Sequence, residues 1–73
     1  MSTTIDRNLL KAASASVVAA GKGAHALLET TGVGTPRYRM IPTVQWAAFK
    51  DTAAGAGWRV VAGITSTGEA VEL

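Results

Sequence analysis

The sequence predicts an α+β domain in which one N-terminal helix packs on a three-stranded antiparallel β-meander. Apolar residues recur at helical spacing in the first part of the chain, and a strand pattern flanks a glycine turn near its end. With 73 residues, the chain is long enough for one domain, which we take as residues 1–73. A domain of this size buries a modest share of its surface, and the absence of cysteine excludes disulfide bridges. Its stability therefore depends on close packing or on association.

The first segment, residues 4–31, has the pattern of an amphipathic helix. Its apolar residues recur every three or four positions, as they do on one face of an α-helix. This stripe comprises Ile5, Leu9, Ala13, Val17, Ala20, Ala24 and Leu27 or Leu28. We expect Gly32 to follow the helix end, because glycine adopts a left-handed conformation at little cost. Gly21 and Gly23 each weaken a helix by about 1 kcal/mol relative to alanine, so a kink or break is predicted there.

A linker at residues 32–36 leads to the first predicted strand, at residues 37–50. Pro36 cannot continue a helix, and it favours extended geometry in the residue before it. Two apolar alternations compete within this strand, so either face could point inward. One comprises Met40, Val44, Trp46 and Ala48, and the other comprises Ile41, Ala47 and Phe49. Pro42 has no backbone N–H to donate, which favours an edge position or a bulge near the start of the strand.

The second predicted strand, residues 57–65, has the clearest pattern in the chain. It follows a loop at residues 51–57 that is rich in alanine and glycine. Alternate positions of the strand are apolar, and we expect the helix to lie across the face that they form. These positions are Trp58, Val60, Ala62 and Ile64.

A turn centred on Thr67 and Gly68 leads to the third predicted strand, residues 70–73. A two-residue hairpin turn at this point would place Ile64 opposite Val71. This register continues the apolar face of the second strand onto the third. The agreement between turn and pattern predicts a meander.

The second face of the predicted sheet is less polar than a solvated antiparallel face normally is. Its apolar residues include Ile41, Phe49 and Val61. We expect another surface to cover them, most simply a second copy of the chain. These three residues are therefore candidates for a protein interface.

Small residues recur every four positions along the predicted helix, at Ala12, Ser16, Ala20 and Ala24. Rows of small residues let two helix backbones approach closely. We add these four to the candidate protein interface. The alternative is that the helix simply packs tightly on its own sheet.

Groups that could carry catalysis are sparse. The chain has one histidine, and we interpret His25 as an exposed helix residue rather than a base, although Glu29 would lie one turn away. One histidine and five scattered acidic residues do not make a metal site. The glycines at 21–23 and 32–34 lack the context of a phosphate-binding loop. We therefore expect no catalytic, metal-binding or cofactor-binding residues, and a protein that is not an enzyme.

Basic and aromatic residues are concentrated in the predicted sheet. The cations are Arg37, Arg39, Lys50 and Arg59, and the aromatic residues include Trp46 and Trp58. Single-strand nucleic-acid binders combine such residues, because rings stack on bases and cations contact phosphates. However, the net charge is only +2, and the two tryptophans fit an apolar core better. Contact with nucleic acid or an acidic partner is therefore the less favoured alternative.

Three short stretches resemble the β-meander of small bacterial YegP-type domains. They are Phe49-Lys50-Asp51, Gly57-Trp58-Arg59-Val60 and Gly68-Glu69-Ala70-Val71, and the span from the first to the last covers about a third of the chain. The resemblance implies a meander in the second half of the chain and no particular activity. The composition is also similar to that of small virion proteins of phages that infect GC-rich bacteria, which implies a structural role in a particle.

Together these features predict a structural or assembly subunit, such as a bacteriophage particle component, that self-associates or docks in a larger complex. The alternatives are a nucleic-acid-binding module and a small inhibitor or regulator that docks on a host protein. No segment has the roughly 20 apolar residues that span a bilayer, and no signal peptide is indicated. The absence of cysteine fits a reducing compartment. We therefore expect the protein in the cytoplasm or in a virion.

Overall fold

The computed structural model describes residues 6–73, which form an N-terminal helix, a four-stranded antiparallel sheet and a second short helix. In chain order the elements are α1 (Arg7–Ala20), β1 (His25–Thr30), β2 (Tyr38–Pro42), α2 (Thr43–Phe49), β3 (Trp58–Ile64) and β4 (Ala70–Glu72). The order of strands in the sheet is β2-β1-β3-β4. The predicted α+β class is confirmed, with four strands rather than three. Within the described residues, none of the helices has the length and apolar character needed to cross a bilayer.

The first helix is shorter than predicted. Gly21 follows its last residue in the left-handed conformation, with φ 62°, and its N–H donates to the carbonyl of Val17 at 3.3 Å. The predicted break near the paired glycines is therefore a complete helix end, and Gly32 plays no part in it. At the other end, the carboxylate of Asp6 accepts a hydrogen bond from the N–H of Asn8 at 2.8 Å. The predicted helical residues 4 and 5 lie outside the described residues.

The segment after this break is the central strand β1, so the helix predicted for residues 25–30 is wrong. Residues Ala26 to Glu29 are all buried, because β1 pairs with β2 on one side and β3 on the other, and helices cover both of its faces. A strand buried on both faces carries a continuous apolar run instead of an alternation. That run fits a helix stripe equally well, which explains the error.

The predicted strand at residues 37–50 is instead the strand β2 followed by the helix α2. β2 lies at the edge of the sheet and ends at Pro42, so the predicted edge position of this proline is confirmed. In α2, Trp46 and Phe49 are three residues apart and pack on the same buried cluster. A short 3₁₀ turn at Gly55–Gly57 then leads into β3.

β3 contains a bulge that moves its apolar residues from one face to the other. Leu27 lies opposite Ala62 and Leu28 lies opposite Val60, so Val61 is an extra residue. Consequently Val60 packs on one side of the sheet while Ala62 packs on the other. The prediction that Trp58, Val60, Ala62 and Ile64 share one face is wrong for this reason.

The hairpin that joins β3 to β4 has a three-residue loop instead of the predicted two-residue turn. Ile64 pairs with Ala70, and Gly68 occupies the left-handed region with φ 92°. This is the usual geometry of a three-residue hairpin loop. Val71 therefore lies opposite Gly63, one residue away from the predicted register, and it projects from the opposite face.

Each face of the sheet is covered by one helix of the same chain. We call the side on which α1 packs the α1 face and the other side the α2 face. The α1 face has a buried cluster made of Ala13, Val17, Leu27, Ala62 and Ile64. The α2 face has a second one, in which Trp46, Phe49, Trp58 and Val60 pack on Ala26, Leu28 and Ile41. The second apolar face is thus covered by α2, so it does not itself require a partner.

Candidate interaction surfaces

Among residues 6–73, no further strand pairs with the two outer strands of the sheet, β2 and β4, so each presents backbone groups along a free edge. The carbonyl of Arg37 accepts from the N–H of Thr30 at 3.0 Å, so by alternation Tyr38 and Met40 direct their N–H and C=O groups outward. On the other edge, the N–H of Leu73 donates to the carbonyl of Val61 at 3.1 Å. Alternation along β4 then turns the backbone groups of Ala70 and Glu72 outward. Such edges can pair with an additional strand.

The free edges carry charges of opposite sign. Arg37 and Arg39 lie at the β2 edge, and Glu69 and Glu72 lie at the β4 edge, all of them exposed. Arg39 belongs to the α2 face, because its pairing partner Leu28 packs there. By alternation from Ala70, which packs on the α1 face, Glu69 also belongs to the α2 face.

The predicted basic and aromatic group is divided between the two faces of the sheet. On the α2 face the guanidinium of Arg39 lies 5.1 Å from the centre of the Phe49 ring, a cation–π arrangement. Lys50 follows Phe49 at the end of α2 and is exposed. Trp46 and Trp58 are half-buried against the apolar cluster of the α2 face. This position fits the predicted core role better than that of an exposed surface on which bases could stack.

Arg59 lies on the α1 face instead, where it is paired. Its Nε donates to Oε1 of Glu29 at 3.2 Å, and its Nη2 donates to the same oxygen. The phenol of Tyr38 donates to Oε2 of Glu29 at 2.6 Å. Because both carboxylate oxygens are engaged, this buried group is held as a structural anion and is poorly placed to act as a base.

The hydrogen-bonding partners of Glu29 determine its ionisation. The hydrogen bond from Tyr38, followed by that from Arg59, holds the pKa of the Glu29 carboxyl below its ordinary value, although burial opposes this effect. The same hydrogen bond and burial raise the pKa of the Tyr38 phenol. The pair is therefore a carboxylate and a neutral phenol over a wide range of pH.

The row of small residues is shorter than predicted. Ala12 and Ser16 are exposed and border a groove of about 230 Å³ between α1 and β2, with Tyr38 and Met40 on its opposite side. Ala20 is the last residue of α1, and Ala24 lies beyond the helix end and so does not belong to the row.

The remaining candidates for a protein interface do not form one free face. Ile41 is buried beneath α2. The Phe49 ring packs beside it and contacts the Trp46 ring in a tilted arrangement, with 6.2 Å between ring centres. Val61 is the bulge residue and packs half-buried against the α1-face cluster. The structure thus places Ile41 and Phe49 in the core between α2 and the sheet, and Val61 on the opposite side of the sheet.

His25 is half-buried at the start of β1, so its interpretation as an exposed helix residue is wrong. Its Nδ1 lies 2.9 Å from the carbonyl oxygen of Gly23, a local contact that occupies this ring nitrogen. Between residues 6 and 73, no three histidine or carboxylate side chains come together in a way that could hold a metal ion.

Comparisons with known proteins identify no relative. No family model, no curated protein and no solved structure matches the chain.

Proposed function

We propose that this chain is a non-enzymatic assembly subunit that acts through self-association or docking in a larger complex. The observation that supports this role best is the pair of free sheet edges with opposite charges. A sheet edge with unpaired backbone groups is a template for another strand, and charged edge residues select which strand can pair. The similarity in composition to small phage virion proteins is consistent with a subunit of a particle.

Exposed apolar side chains on the described surface support the same role. Val44, Val71 and Leu73 are all exposed, and they lie on α2 or at the β4 end of the sheet. A domain of 73 residues gains stability from any neighbour that covers such groups. The groove beside Ala12 and Ser16 offers a further apolar contact.

The oligomeric state of the full chain tests this proposal. We expect the average mass measured by sedimentation equilibrium to rise with concentration across the micromolar range at physiological salt. Docking in a mixed complex is tested by co-expression with candidate partner chains. A co-purified complex of defined stoichiometry would support the proposal. A chain that remains monomeric throughout and forms no such complex would contradict the proposal.

A second candidate function is nucleic-acid binding through the α2 face. It rests on three exposed cations, Arg37, Arg39 and Lys50, and on the half-buried tryptophans of this face. Arg59 is not included, because it forms the ion pair with Glu29 that is found among the described residues. Lys50→Gln should weaken binding to a labelled single strand and reduce its salt dependence, whereas Lys22→Gln, in the loop after α1, should leave both unchanged. Absence of binding to this probe at low salt would remove this candidate.

A further inference from the structure

We propose that copies of this chain associate head to tail, with β4 of one copy pairing antiparallel to β2 of the next. This inference rests on the proposed assembly function and specifies its partner, a second copy. It also specifies the surface, which is the two free edges of the sheet. Four features of the structure support it.

The first feature is the direction of the outer strands. Each strand in the order β2-β1-β3-β4 is antiparallel to its neighbour, so β2 and β4 run in opposite directions. A second copy placed beside the first in the same orientation therefore brings its β4 antiparallel to β2. The α1 faces of the two copies remain on the same side. The result is one continuous antiparallel sheet, with the α1 helices of all copies on one side and the α2 helices on the other.

The second feature is the distribution of charge. Arg37 lies two residues before Arg39 and shares its face, because the pairing of β1 with β2 continues to Thr30 and Arg37. Glu69 at the β4 edge belongs to the same face, so head-to-tail pairing places opposite charges near each other. Pairing of two β2 edges would bring arginines together, and pairing of two β4 edges would bring glutamates together. Like charges across a strand pair are destabilising. The edges thus favour the unlike pairing and oppose both like pairings.

Charges on α1 do not remove this preference. Arg7 and Lys11 line a groove above Ala70, so they lie on the α1 face of β4. Glu69 projects from the opposite side of the strand, where the arginines of β2 would approach. The complementary charges therefore meet on the α2 face.

The third feature is an exposed apolar side chain at the β4 edge. Val71 is 57% exposed and lies on the α2 face opposite Gly63, which has no side chain to cover it. In the neighbouring copy, α2 packs over β1 and β2 on this face. Head-to-tail pairing would bring Val71 beside that helix and remove apolar surface from water.

The fourth feature is the set of hydrogen-bonding groups available. Tyr38 and Met40 on β2, and Ala70 and Glu72 on β4, direct N–H and C=O groups outward at the same two-residue spacing. Pro42 has no N–H and so limits pairing to the first part of β2. A contact of this length is small, so association should be weak and dependent on concentration. Unlike edges generate a ring or an open filament instead of a closed two-fold dimer.

A charge-reversal experiment tests the pairing at four exposed residues of the two edges. One variant carries Arg37→Glu and Arg39→Glu, which makes both of its edges acidic. The other carries Glu69→Lys and Glu72→Lys, which makes both edges basic. We expect each variant alone to associate about tenfold more weakly than the unmodified chain. An equimolar mixture of the two should recover association, because every acidic edge then finds a basic one.

Circular dichroism first confirms that both variants are folded, and sedimentation then reports their association. A mixture that associates no better than its components would overturn the head-to-tail pairing. So would variants that associate as strongly as the unmodified chain, although the assembly function would then stand on another surface. If the unmodified chain is monomeric and forms no defined complex, the assembly function itself fails.

Discussion

The phenol of Tyr38 donates a 2.6 Å hydrogen bond to Oε2 of Glu29 across the pairing of β1 and β2. Arg59 from β3 engages the other carboxylate oxygen, so the three side chains join three neighbouring strands on the α1 face. Glu29 is only 3% exposed. A buried carboxylate is costly unless it is hydrogen-bonded, and this arrangement provides the required donors.

Removing the phenol hydroxyl should destabilise the domain. Tyr38→Phe leaves Oε2 of Glu29 without this donor, and a buried acceptor that loses its partner costs about 1–3 kcal/mol. Chemical denaturation measures the change in the free energy of unfolding. The control is Thr67→Ala, which removes an exposed hydrogen bond to Thr65 and should change stability by less than about 0.5 kcal/mol. Equal effects of the two substitutions would contradict the role assigned to the buried pair.

Stability should be highest between mildly acidic and mildly alkaline pH. The pKa of Glu29 is lowered from its ordinary value of 4.5, so its stabilising contribution is present above pH 4.5 and is lost as the pH falls through the lower folded value. The pKa of Tyr38 is raised from 10.0, so its contribution is present below pH 10.0 and is lost as the pH rises beyond it.

Glu29→Gln provides the matching test of this pH dependence. The variant has no carboxylate at this position, so the free energy of unfolding should fall less steeply in acid than it does in the unmodified chain. The alkaline decrease should also become shallower, because Tyr38 then has no adjacent anion. Asp51→Asn, at an exposed site in the loop after α2, should leave both limbs of the profile unchanged. Identical profiles for Glu29→Gln and the unmodified chain would refute the assignment.

Two adjacent valines in α1 should respond very differently to truncation. Val17 is 1% exposed in the cluster between α1 and the sheet, whereas Val18 is 51% exposed. Val17→Ala should therefore cost about 1.5–3 kcal/mol, from lost apolar burial and the cavity left behind. Val18→Ala should cost less than about 1 kcal/mol. The comparison by thermal or chemical unfolding tests which side of α1 faces the sheet.

The α+β fold class and the break near Gly21 were predictable from the sequence, but the presence of a central strand after that break was not. Gly21 and Gly23 predicted a kink or break within a longer helix, and α1 ends completely at Gly21. The strand that follows, His25–Thr30, contains the apolar run 26–28 with no alternation, because tertiary contacts bury both faces of β1. Nothing local distinguishes that run from the buried stripe of a longer helix. The helix α2 was missed for a related reason, since only its packing partners show that Trp46 and Phe49 act as a helical pair.

The candidate surfaces were less predictable, because they depend on strand order and register. Pro42 favoured either an edge position or a bulge, and β2 does lie at the edge, but insertion of β1 between β2 and β3 could not be inferred from a meander. The loop after Thr65 has three residues instead of the predicted two. This shifts the register of β4 by one residue and places Val71 on the other face of the sheet. The buried site of Glu29 likewise arises only where three strands meet.

The close approach of Gly55 to the end of α2 gives a sharp test of the loop that joins α2 to β3. A Cβ atom at this position would overlap the backbone carbonyl of Phe49 and lie 2.9 Å from Cα of Lys50. Because backbone atoms cannot move aside easily, Gly55→Ala should destabilise the domain by about 2 kcal/mol or more. Gly57→Ala is the matched control, since a Cβ there meets no atom within 4 Å, and it should change stability by less than about 0.5 kcal/mol. If Gly55→Ala unfolds at the same denaturant concentration as Gly57→Ala, the packing of this loop against α2 is not as the structure describes.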